Sequence, residues 1–179
     1  VMSFEDCIGL VLLRGQLFET VPAGGMLSVP LSRADLEPML CNDLDIAGKN
    51  ATELTVVSGP DAALDRLQAE LAKREIEAQR IAINIAAHSR MLEPILERFG
   101  DYLRSIDLHV PPLPIVSTRT VQELTAEQAA DPEYWVQHLR GTVRFVDCIN
   151  ELAQVKGRIF LEVGPGQDLR SRAGRHPRV

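Results

Sequence analysis

Residues 26–85 carry an ordered alternation of strand-like and helix-like segments, and this order restricts the fold more than any other feature of the sequence. Short apolar runs predict four strands, and apolar residues at helical spacing predict two helices, the first capped by Ser32. In chain order we predict strand 26–32, helix 33–40, strands 44–50 and 53–59, a helix after Pro60 with Ala63, Leu64, Leu67 and Leu71 on one face, and strand 77–85. This β-α-β-β-α-β order predicts a ferredoxin-like unit, in which two helices cover one face of four antiparallel strands.

A helix is also predicted over residues 3–18, with Ser3 as its N-cap. It has so few polar residues that we expect it to be largely buried. Arg14 is the unusual residue on this helix, because an unpaired guanidinium is costly to bury. Its anionic partner is either a structural Asp or Glu, or the carboxylate of a ligand held by the planar guanidinium.

His88 lies at the seam between two patterns, since alternating isoleucines precede it and residues at helical spacing follow it. Ser89 is expected to cap the following helix. A histidine at such a place either satisfies a backbone carbonyl or acts as a base. The base interpretation has physical support, because the positive end of the helix opposes protonation and keeps the imidazole neutral.

The C-terminal half predicts more helix than strand. Residues 108–118 contain three prolines and predict an extended segment leading to an edge strand. Asp131 is expected to begin a helix, and another helix is expected from about residue 143 to 152. Residues 158–163 predict a strand that ends in a G-P-G turn, which lacks the third glycine of a dinucleotide-binding motif.

The composition is that of a globular protein, with 45% hydrophobic and 25% charged residues. A net charge of −6 disfavours nucleic acid or an anionic membrane as the main partner, because both bind cationic surfaces. Cys7, Cys41 and Cys148 are widely spaced, which predicts neither a metal site nor a disulfide framework and favours a cytoplasmic location. No apolar run is long enough to span a membrane, and the basic stretch 169–179 is interpreted as a solvated tail.

Six stretches that cover nearly the whole chain carry a family resemblance. They are SFEDCIGLVLLRGQLF (3–18), PAGGMLSV (22–29), KNATELTVVSGP (49–60), AAHSRMLEPIL (86–96), PEYWVQHLRGTVRF (132–145) and FLEVGPGQ (160–167). In this order they resemble the acyltransferase domain of modular type I polyketide synthases, which is related to the malonyl-CoA:acyl carrier protein transacylases of fatty acid synthesis.

The resemblance implies an α/β fold in which the ferredoxin-like subdomain is inserted in an α/β-hydrolase-like large subdomain. The implied boundaries are 1–24 and 87–165 for parts of the large subdomain, 25–86 for the ferredoxin-like subdomain, and 166–179 for a tail or linker. The active site of the family lies in the cleft between the subdomains. His88, at the point where the chain leaves the small subdomain, is therefore expected at the edge of this cleft.

In that family a serine in a G-H-S-x-G motif takes an acyl group from acyl-CoA and passes it to the phosphopantetheine thiol of an acyl carrier protein. The resemblance implies that His88 is the general base, that Arg14 binds the free carboxylate of a malonyl-type group, and that the backbone carbonyl of His138 orients the His88 ring. It implies no metal and no cofactor bound by this domain. The implied partners are the carrier protein and neighbouring synthase domains such as the ketosynthase.

The residues before His88 correspond to the specificity motif of the family. Malonyl-selective members have H-A-F-H there and methylmalonyl-selective members have Y-A-S-H, whereas this chain has Ile85, two alanines and His88. Ala87 is close to serine in volume, which favours tolerance of methylmalonyl groups. One methyl group changes the discrimination by only about 1–3 kcal/mol, so the rest of the pocket also matters.

The sequence departs from the family in one respect that bears on activity. No G-x-S-x-G motif occurs in its 179 residues, and we therefore expect a fragment that is inactive by itself. Two alternatives stay open. One is a stand-alone transacylase of fatty acid synthesis, and the other is a non-catalytic ferredoxin-like module that binds a ligand or a protein partner.

Overall fold

The structure is a computed structural model that describes residues 1–174. Its helices are α1 (Phe4–Phe18), α2 (Arg33–Leu36), α3 (Asp61–Lys73), α4 (Glu93–Ser105), α5 (Ala126–Ala130), α6 (Pro132–Arg140), α7 (Phe145–Leu152) and α8 (Asp168–Ala173). Its strands are β1 (Gly25–Val29), β2 (Asp45–Ala51), β3 (Leu54–Gly59) and β4 (Gln79–Arg80). Two 3₁₀ turns, Glu37–Met39 and Arg90–Leu92, follow α2 and precede α4.

The four strands form one sheet in the order β2-β3-β1-β4, with every neighbouring pair antiparallel. Leu27 of β1 pairs with Val57 of β3 on one side and with Arg80 of β4 on the other. β2 lies at one edge, and its register with β3 shifts between Ile46 and Gly48, which marks a β-bulge. The β-α-β-β-α-β order predicted from the sequence is thus present.

Helices α2 and α3 pack on one face of this sheet and form the first hydrophobic core. The four apolar residues predicted to share one face of α3 are all buried. They contact Leu27 and Val57 from the sheet and Leu36 from α2. The hydroxyl of Ser32 accepts the backbone N–H of Asp35, as the predicted cap requires. Burial of this apolar face, rather than helix propensity, holds α3 in place.

A second hydrophobic core lies between α1, α4 and α6. It contains Leu17 from α1, Phe99 and Leu103 from α4, and Val136 from α6. α1 approaches α4 closely at Gly9, where a Cβ would collide with the hydroxyl group of Tyr102. The Tyr102 hydroxyl donates to the carbonyl of Asp6 at 3.2 Å, and Ser3 caps α1 as predicted.

The expectation that α1 is largely buried is wrong. Leu17 is its only buried residue, whereas Phe4, Ile8, Val11 and Leu12 are half or more exposed, at 50–75%. The helix buries the side that faces α4, and among residues 1–174 no element covers its opposite side. An apolar helix therefore need not be a buried one, because burial also requires a neighbouring surface.

The fourth strand is much shorter than predicted. The sequence pattern indicated 77–85, but only Gln79–Arg80 pairs with β1, with one further bond from the Ile81 N–H to the Met26 carbonyl. Ile83 is 47% exposed rather than buried. The chain leaves the sheet after Ile81 because it crosses to the seam that contains His88, so the alternation of isoleucines does not correspond to a strand.

The strand predicted over 158–163 is wrong, and the segment 108–118 does not lead to the predicted edge strand. Residues 158–163 are irregular, and Ile159, Leu161 and Val163 are 84–91% exposed. Residues 108–118 form only an isolated bridge between Val116 and Glu123. A strand requires a continuous partner for its backbone groups. Within residues 1–174 the segment 158–163 pairs with no strand, and beyond the bridge 108–118 makes only single bonds, such as that from the His109 N–H to the Val1 carbonyl at 2.8 Å.

The remaining helices lie close to their predicted positions. Asp131 caps α6, with Pro132 in its first turn, and α7 ends at Leu152 as expected. The stretch interpreted as a tail begins with the short helix α8, and its residues 175–179 lie outside the described part of the chain. None of the helices described is long and apolar enough to cross a membrane.

Candidate active site

A cavity of about 480 Å³ lies where α1, the seam after β4, α4 and α6 meet. Four of the five residues singled out from the sequence line it, namely Arg14, Ala87, His88 and His138. The rest of the wall is mostly apolar and comes from Leu10, Val11, Phe18, Leu92, Phe99, Trp135, Leu139 and Val143, with Thr118. Residues far apart in the sequence therefore meet at one site.

The backbone holds His88 in an unusual conformation at the edge of this cavity. Its φ is 56°, in the left-handed region that non-glycine residues rarely adopt. The Ser89 hydroxyl donates to the Ala86 carbonyl at 2.7 Å and accepts the Met91 N–H at 3.2 Å, which confirms Ser89 as a cap. Such strained residues persist only where the surroundings determine them, and they cluster at functional sites.

A carboxylate on β2 also anchors the seam. The side chain of Asp45 accepts the backbone N–H of Arg90 at 2.7 Å and its guanidinium at 2.9 Å. Burial alone would raise the pKa of Asp45, but the hydrogen bonds from Arg90 outweigh this effect and leave the pKa below its usual value. The residues directly after His88 are thus fixed to the edge of the sheet.

The ring of His88 makes one bond that decides its chemistry. Its Nδ1 lies 2.9 Å from the backbone carbonyl oxygen of Gly141. Because a carbonyl oxygen only accepts, Nδ1 carries the proton and donates it, and in the neutral ring Nε2 then presents its lone pair. His88 is therefore arranged to accept a proton at Nε2.

The surroundings also favour the neutral form of this ring. Burial lowers the pKa of His88 below its ordinary value of 6.5, because desolvation penalises the charged form. The carbonyl of Gly141 opposes this effect, whereas the nearby charges of His138 and Arg14 add to it. The direction agrees with the neutral imidazole expected from the sequence, although burial is its largest cause.

The carbonyl that contacts the His88 ring belongs to a different residue from the one that the resemblance implies. The resemblance implied the carbonyl of His138, but the structure places that of Gly141 against the ring. Helix α6 ends at Arg140 and the backbone is extended at Gly141, so this carbonyl lies beyond the last helical turn. It can therefore point at the ring of a separate segment.

The His138 side chain, which was expected to have no role of its own, forms part of the cavity wall. Its Nε2 lies 3.3 Å from the hydroxyl oxygen of Thr118, and its ring centroid lies 5.8 Å from that of Trp135. Burial lowers the pKa of His138, and the charge of Arg119 contributes. The cavity thus contains two half-buried imidazoles with lowered pKa values.

Arg14 reaches the cavity, but it is not the buried cation that the sequence predicted. The residue is exposed, and its guanidinium carbon lies 5.9 Å from the centroid of the Phe18 ring. Among residues 1–174 no carboxylate lies within 4.0 Å of it, in contrast to most arginines near the site. The structural ion pair considered from the sequence is therefore not formed in this part of the chain.

The two residues assigned to specificity occupy different environments. Ala87 is half-buried and lines the cavity, where it contacts the small cluster around Met26. Ile85 packs instead on the core formed by α1, α4 and α6, and it does not line the cavity. Only Ala87 is placed to limit the size of a bound group directly.

Sequence reasoning missed Gly141, Thr118 and Trp135. Trp135 could have been found, because it precedes His138 by three residues on a predicted helix and so shares its face. Gly141 had a weaker signal as the residue after that helix. Thr118 had none, since its position depends on an irregular segment. Within residues 1–174 no group of His, Cys, Asp and Glu could hold a metal ion.

Comparison with known proteins identifies the family of this chain. The family model described as "Acyl transferase domain" matches residues 1–172. The phenolphthiocerol synthesis polyketide synthase type I Pks15/1 of Mycobacterium marinum is 33% identical over 171 residues, which are 94% of this chain and 8% of that protein. Polyketide synthase GfsA of Streptomyces halstedii is 34% identical over 170 residues, 93% of this chain and 2% of that protein.

Solved structures show the same similarity. The acyl transferase domain of SpnD, in complex with 2-(pent-4-yn-1-yl)malonyl, matches with 35% identity and a TM-score of 0.92 over 97% of this chain and 42% of that chain. The acyltransferase domain from the second module of the salinomycin polyketide synthase has 34% identity and a TM-score of 0.90, over 99% of this chain and 43% of that chain. FabD of Acinetobacter baumannii, at 21% identity and a TM-score of 0.92, shares the fold over 99% of this chain and 60% of that chain.

The chain thus spans less than half of these polyketide synthase acyltransferase structures and a small part of the whole synthases. The family inferred from six sequence stretches is confirmed. This α/β chain belongs to the acyltransferase domains of modular type I polyketide synthases.

Proposed function

We propose that this chain supplies the base and the carboxylate-binding side of an acyltransferase. It would select a malonyl-type group from acyl-CoA and transfer it to the phosphopantetheine thiol of an acyl carrier protein. The observation that carries this proposal is the bond from His88 Nδ1 to Gly141, which leaves Nε2 available in the cavity that also contains Arg14. One group accepts a proton and the other binds an anion.

The proposed chemistry proceeds in two steps. His88 Nε2 takes the proton of a serine hydroxyl as its oxygen attacks the thioester carbonyl, and the departing CoA thiolate receives that proton. In the second step Nε2 takes the proton of the carrier thiol, sulfur attacks the serine ester, and the serine oxygen regains the proton. A ring whose neutral form is favoured near pH 7 serves both steps without prior deprotonation.

We propose that the serine lies in sequence outside these 179 residues, and that the 179 residues alone do not form an acyl-enzyme. Two facts support this. The chain has no G-x-S-x-G motif, and it matches only 42–43% of two acyltransferase structures that it otherwise superposes well. The exposed apolar side of α1 is consistent with further protein packing there.

The finer subdomain assignment is also a proposal. The sheet order β2-β3-β1-β4, with two helices on one face, is that expected of a ferredoxin-like subdomain over residues 25–86. Residues 1–24 and 87–165 would belong to a hydrolase-like large subdomain, and 166–179 to the tail or linker. The cavity lined by Arg14, His88 and His138 would then be part of the cleft between the two subdomains.

For the acyl group we propose tolerance of a methyl branch, supported by the small Ala87 in the cavity wall. Arg14 would bind the free carboxylate of the malonyl or methylmalonyl group through a charge-assisted bond. We further propose that the domain binds no cofactor or metal of its own. A carrier protein and a ketosynthase would be its partners, in the cytoplasm.

The test compares two proteins by intact mass after exposure to malonyl-CoA and methylmalonyl-CoA. One is the 179-residue chain, and the other is the longest natural chain that contains it. We expect only the longer protein to gain an acyl mass, and to release it to a carrier protein. Acylation of the 179-residue chain would disprove the proposed position of the serine. Absence of acylation in both would favour a non-catalytic binding module.

A further inference from the structure

The segment 141–144, which follows α6, joins the outer edge of the sheet. β2 is an edge strand, and edge strands present unpaired backbone groups. The N–H of Val143 donates to the carbonyl of Ala47 at 2.9 Å, and the N–H of Lys49 donates to the carbonyl of Val143 at 2.8 Å. These two bonds form a short parallel bridge that attaches the segment to β2.

Thr142 adds a side-chain bond to this attachment. Its hydroxyl donates to the carbonyl of Ile46 at 2.7 Å. Ile46 lies at the register shift of β2, where the bulge leaves an extra residue in the edge strand. As a result the consecutive carbonyls of Ile46 and Ala47 are both used by this one segment. Bulges of this kind redirect backbone groups next to active sites.

The bond from Thr142 matters because of its position beside the carbonyl that holds His88. The carbonyl of Gly141 and the N–H of Thr142 belong to one planar peptide unit. The Thr142 Cα also belongs to this rigid unit, so a displacement of that atom moves the Gly141 carbonyl with it. We propose that Thr142 is a positioning residue for His88, because its bond to Ile46 holds the Thr142 end of the peptide unit whose carbonyl accepts the hydrogen bond from Nδ1–H.

The other end of the segment is anchored separately. The Arg144 N–H donates to the Thr118 carbonyl at 2.9 Å, and the Arg144 side chain contacts Asp147 at 2.9 Å. Asp147 also binds Lys49 of β2, with Nζ 2.8 Å from the carboxylate. Removal of the Thr142 hydroxyl consequently leaves the segment attached to the sheet. It leaves the peptide unit between Gly141 and Thr142 with one side-chain hydrogen bond in the described part of the chain, the bond from His88 Nδ1 itself.

The inference rests on the proposed function for its kinetic readout but not for its structural one. The structural readout is the tautomer of His88, observed by ¹⁵N NMR of the 179-residue chain labelled at its four histidines. The variant His88→Asn assigns the signal by removing it. We expect a neutral ring protonated at Nδ1 in the wild-type chain and in Thr142→Ser, and a mixture of both tautomers in Thr142→Val and Thr142→Ala.

The kinetic readout uses the longest natural chain that contains these residues. We expect Thr142→Val to lower kcat for acyl transfer about 10- to 100-fold with KM within about twofold, because a misplaced base slows the chemistry more than it weakens binding. Thr142→Ser should restore kcat. The matched control is Thr20→Val, which removes a hydroxyl bond of the same length, 2.7 Å to the Leu17 carbonyl, outside the cavity.

The outcomes separate the two proposals. If the wild-type protein transfers no acyl group, the proposed function fails, and the tautomer measurement still decides the role of Thr142. If the wild type is active but Thr142→Val keeps both its kcat and the Nδ1 proton, the positioning role is refuted. If Thr142→Val does not fold, Thr142→Ala provides the same comparison. If Thr142→Val and Thr20→Val lowered kcat equally, the Thr142 hydroxyl would have a merely structural role and the inference would be overturned.

Discussion

Replacement of Arg14 by alanine is expected to weaken binding of malonyl-CoA and to leave acetyl-CoA binding and the fold unchanged. Arg14 is exposed and has no carboxylate partner in residues 1–174, so its loss leaves no buried charge unpaired. Exposed positions of this kind change the free energy of unfolding by less than about 0.5 kcal/mol. The effect on binding can therefore be measured without a change in stability.

The size of the effect follows from the geometry of the guanidinium. A hydrogen bond to a charged group contributes about 1.5–3 kcal/mol, which corresponds to roughly 10- to 150-fold in Kd. Because Arg14 is exposed, solvent screens its charge and the lower part of this range applies. We expect the Kd for malonyl-CoA to rise about 10- to 30-fold. Acetyl-CoA, which has no free carboxylate, should bind equally to both proteins.

The single tryptophan provides the assay. Trp135 lines the same cavity as Arg14, so its fluorescence should report occupancy of the site. The matched control is Arg66→Ala, an exposed arginine on α3 that does not line the cavity. The same discrimination between malonyl-CoA and acetyl-CoA can be measured in the longer natural chain as the ratio of the two kcat/KM values. An unchanged Kd for malonyl-CoA, or equal weakening for both ligands, would refute the assignment of Arg14.

Three further predictions follow from burial and cavity shape. Leu64→Ala should lower the free energy of unfolding by about 2–5 kcal/mol in urea denaturation, since Leu64 is 0% exposed, whereas Leu12→Ala, at 62% exposure, should change it by less than about 0.5 kcal/mol. Because the pKa values of His88 and His138 are lowered in the folded chain, the unfolded chain takes up protons first as the pH falls. The free energy of unfolding should therefore decrease as the pH drops below about 6.5, and it should decrease less steeply with pH in His88→Asn. Ala87→Phe should fill the cavity and shift acyl selectivity towards malonyl by roughly 10-fold or more, measured as the ratio of kcat/KM values.

Each of these has a result that would contradict it. If Leu64→Ala and Leu12→Ala lowered the free energy of unfolding equally, α1 would be covered in solution. Stability that is constant between pH 7.5 and pH 5 would show that the two imidazoles are not desolvated. Unchanged selectivity in Ala87→Phe would mean that residue 87 does not contact the acyl branch, while Ile85→Val serves as the control, because Ile85 packs in the core.

Features encoded by neighbouring residues could be predicted from the sequence. The caps at Ser3, Ser32, Ser89 and Asp131 depend on a side chain and a backbone group two or three residues apart, and all four are present. The buried face of α3 follows from spacing alone. Such interactions are local, so a single chain contains the information that they require.

Features that depend on partners distant in the sequence could not be predicted in this way. The alternation in 158–163 is that of a strand, yet those residues have no strand to pair with in the described chain. The burial of α1 was overestimated, because composition does not reveal what covers a helix. The choice of Gly141 over His138 depended on where α6 ends relative to the His88 ring, a matter of three residues that only the assembled structure resolves.

The left-handed backbone at residue 88 also limits which amino acids a mutational library can tolerate there. Asparagine and glycine adopt positive φ readily, whereas valine, isoleucine and threonine meet a steric penalty of roughly 1–2 kcal/mol or more before any chemistry is considered. If residue 88 is replaced by every other amino acid, the yield of soluble protein should therefore depend on side-chain shape, whereas turnover should be lost whenever the imidazole is removed. Asparagine separates the two, since it keeps the backbone and removes the base.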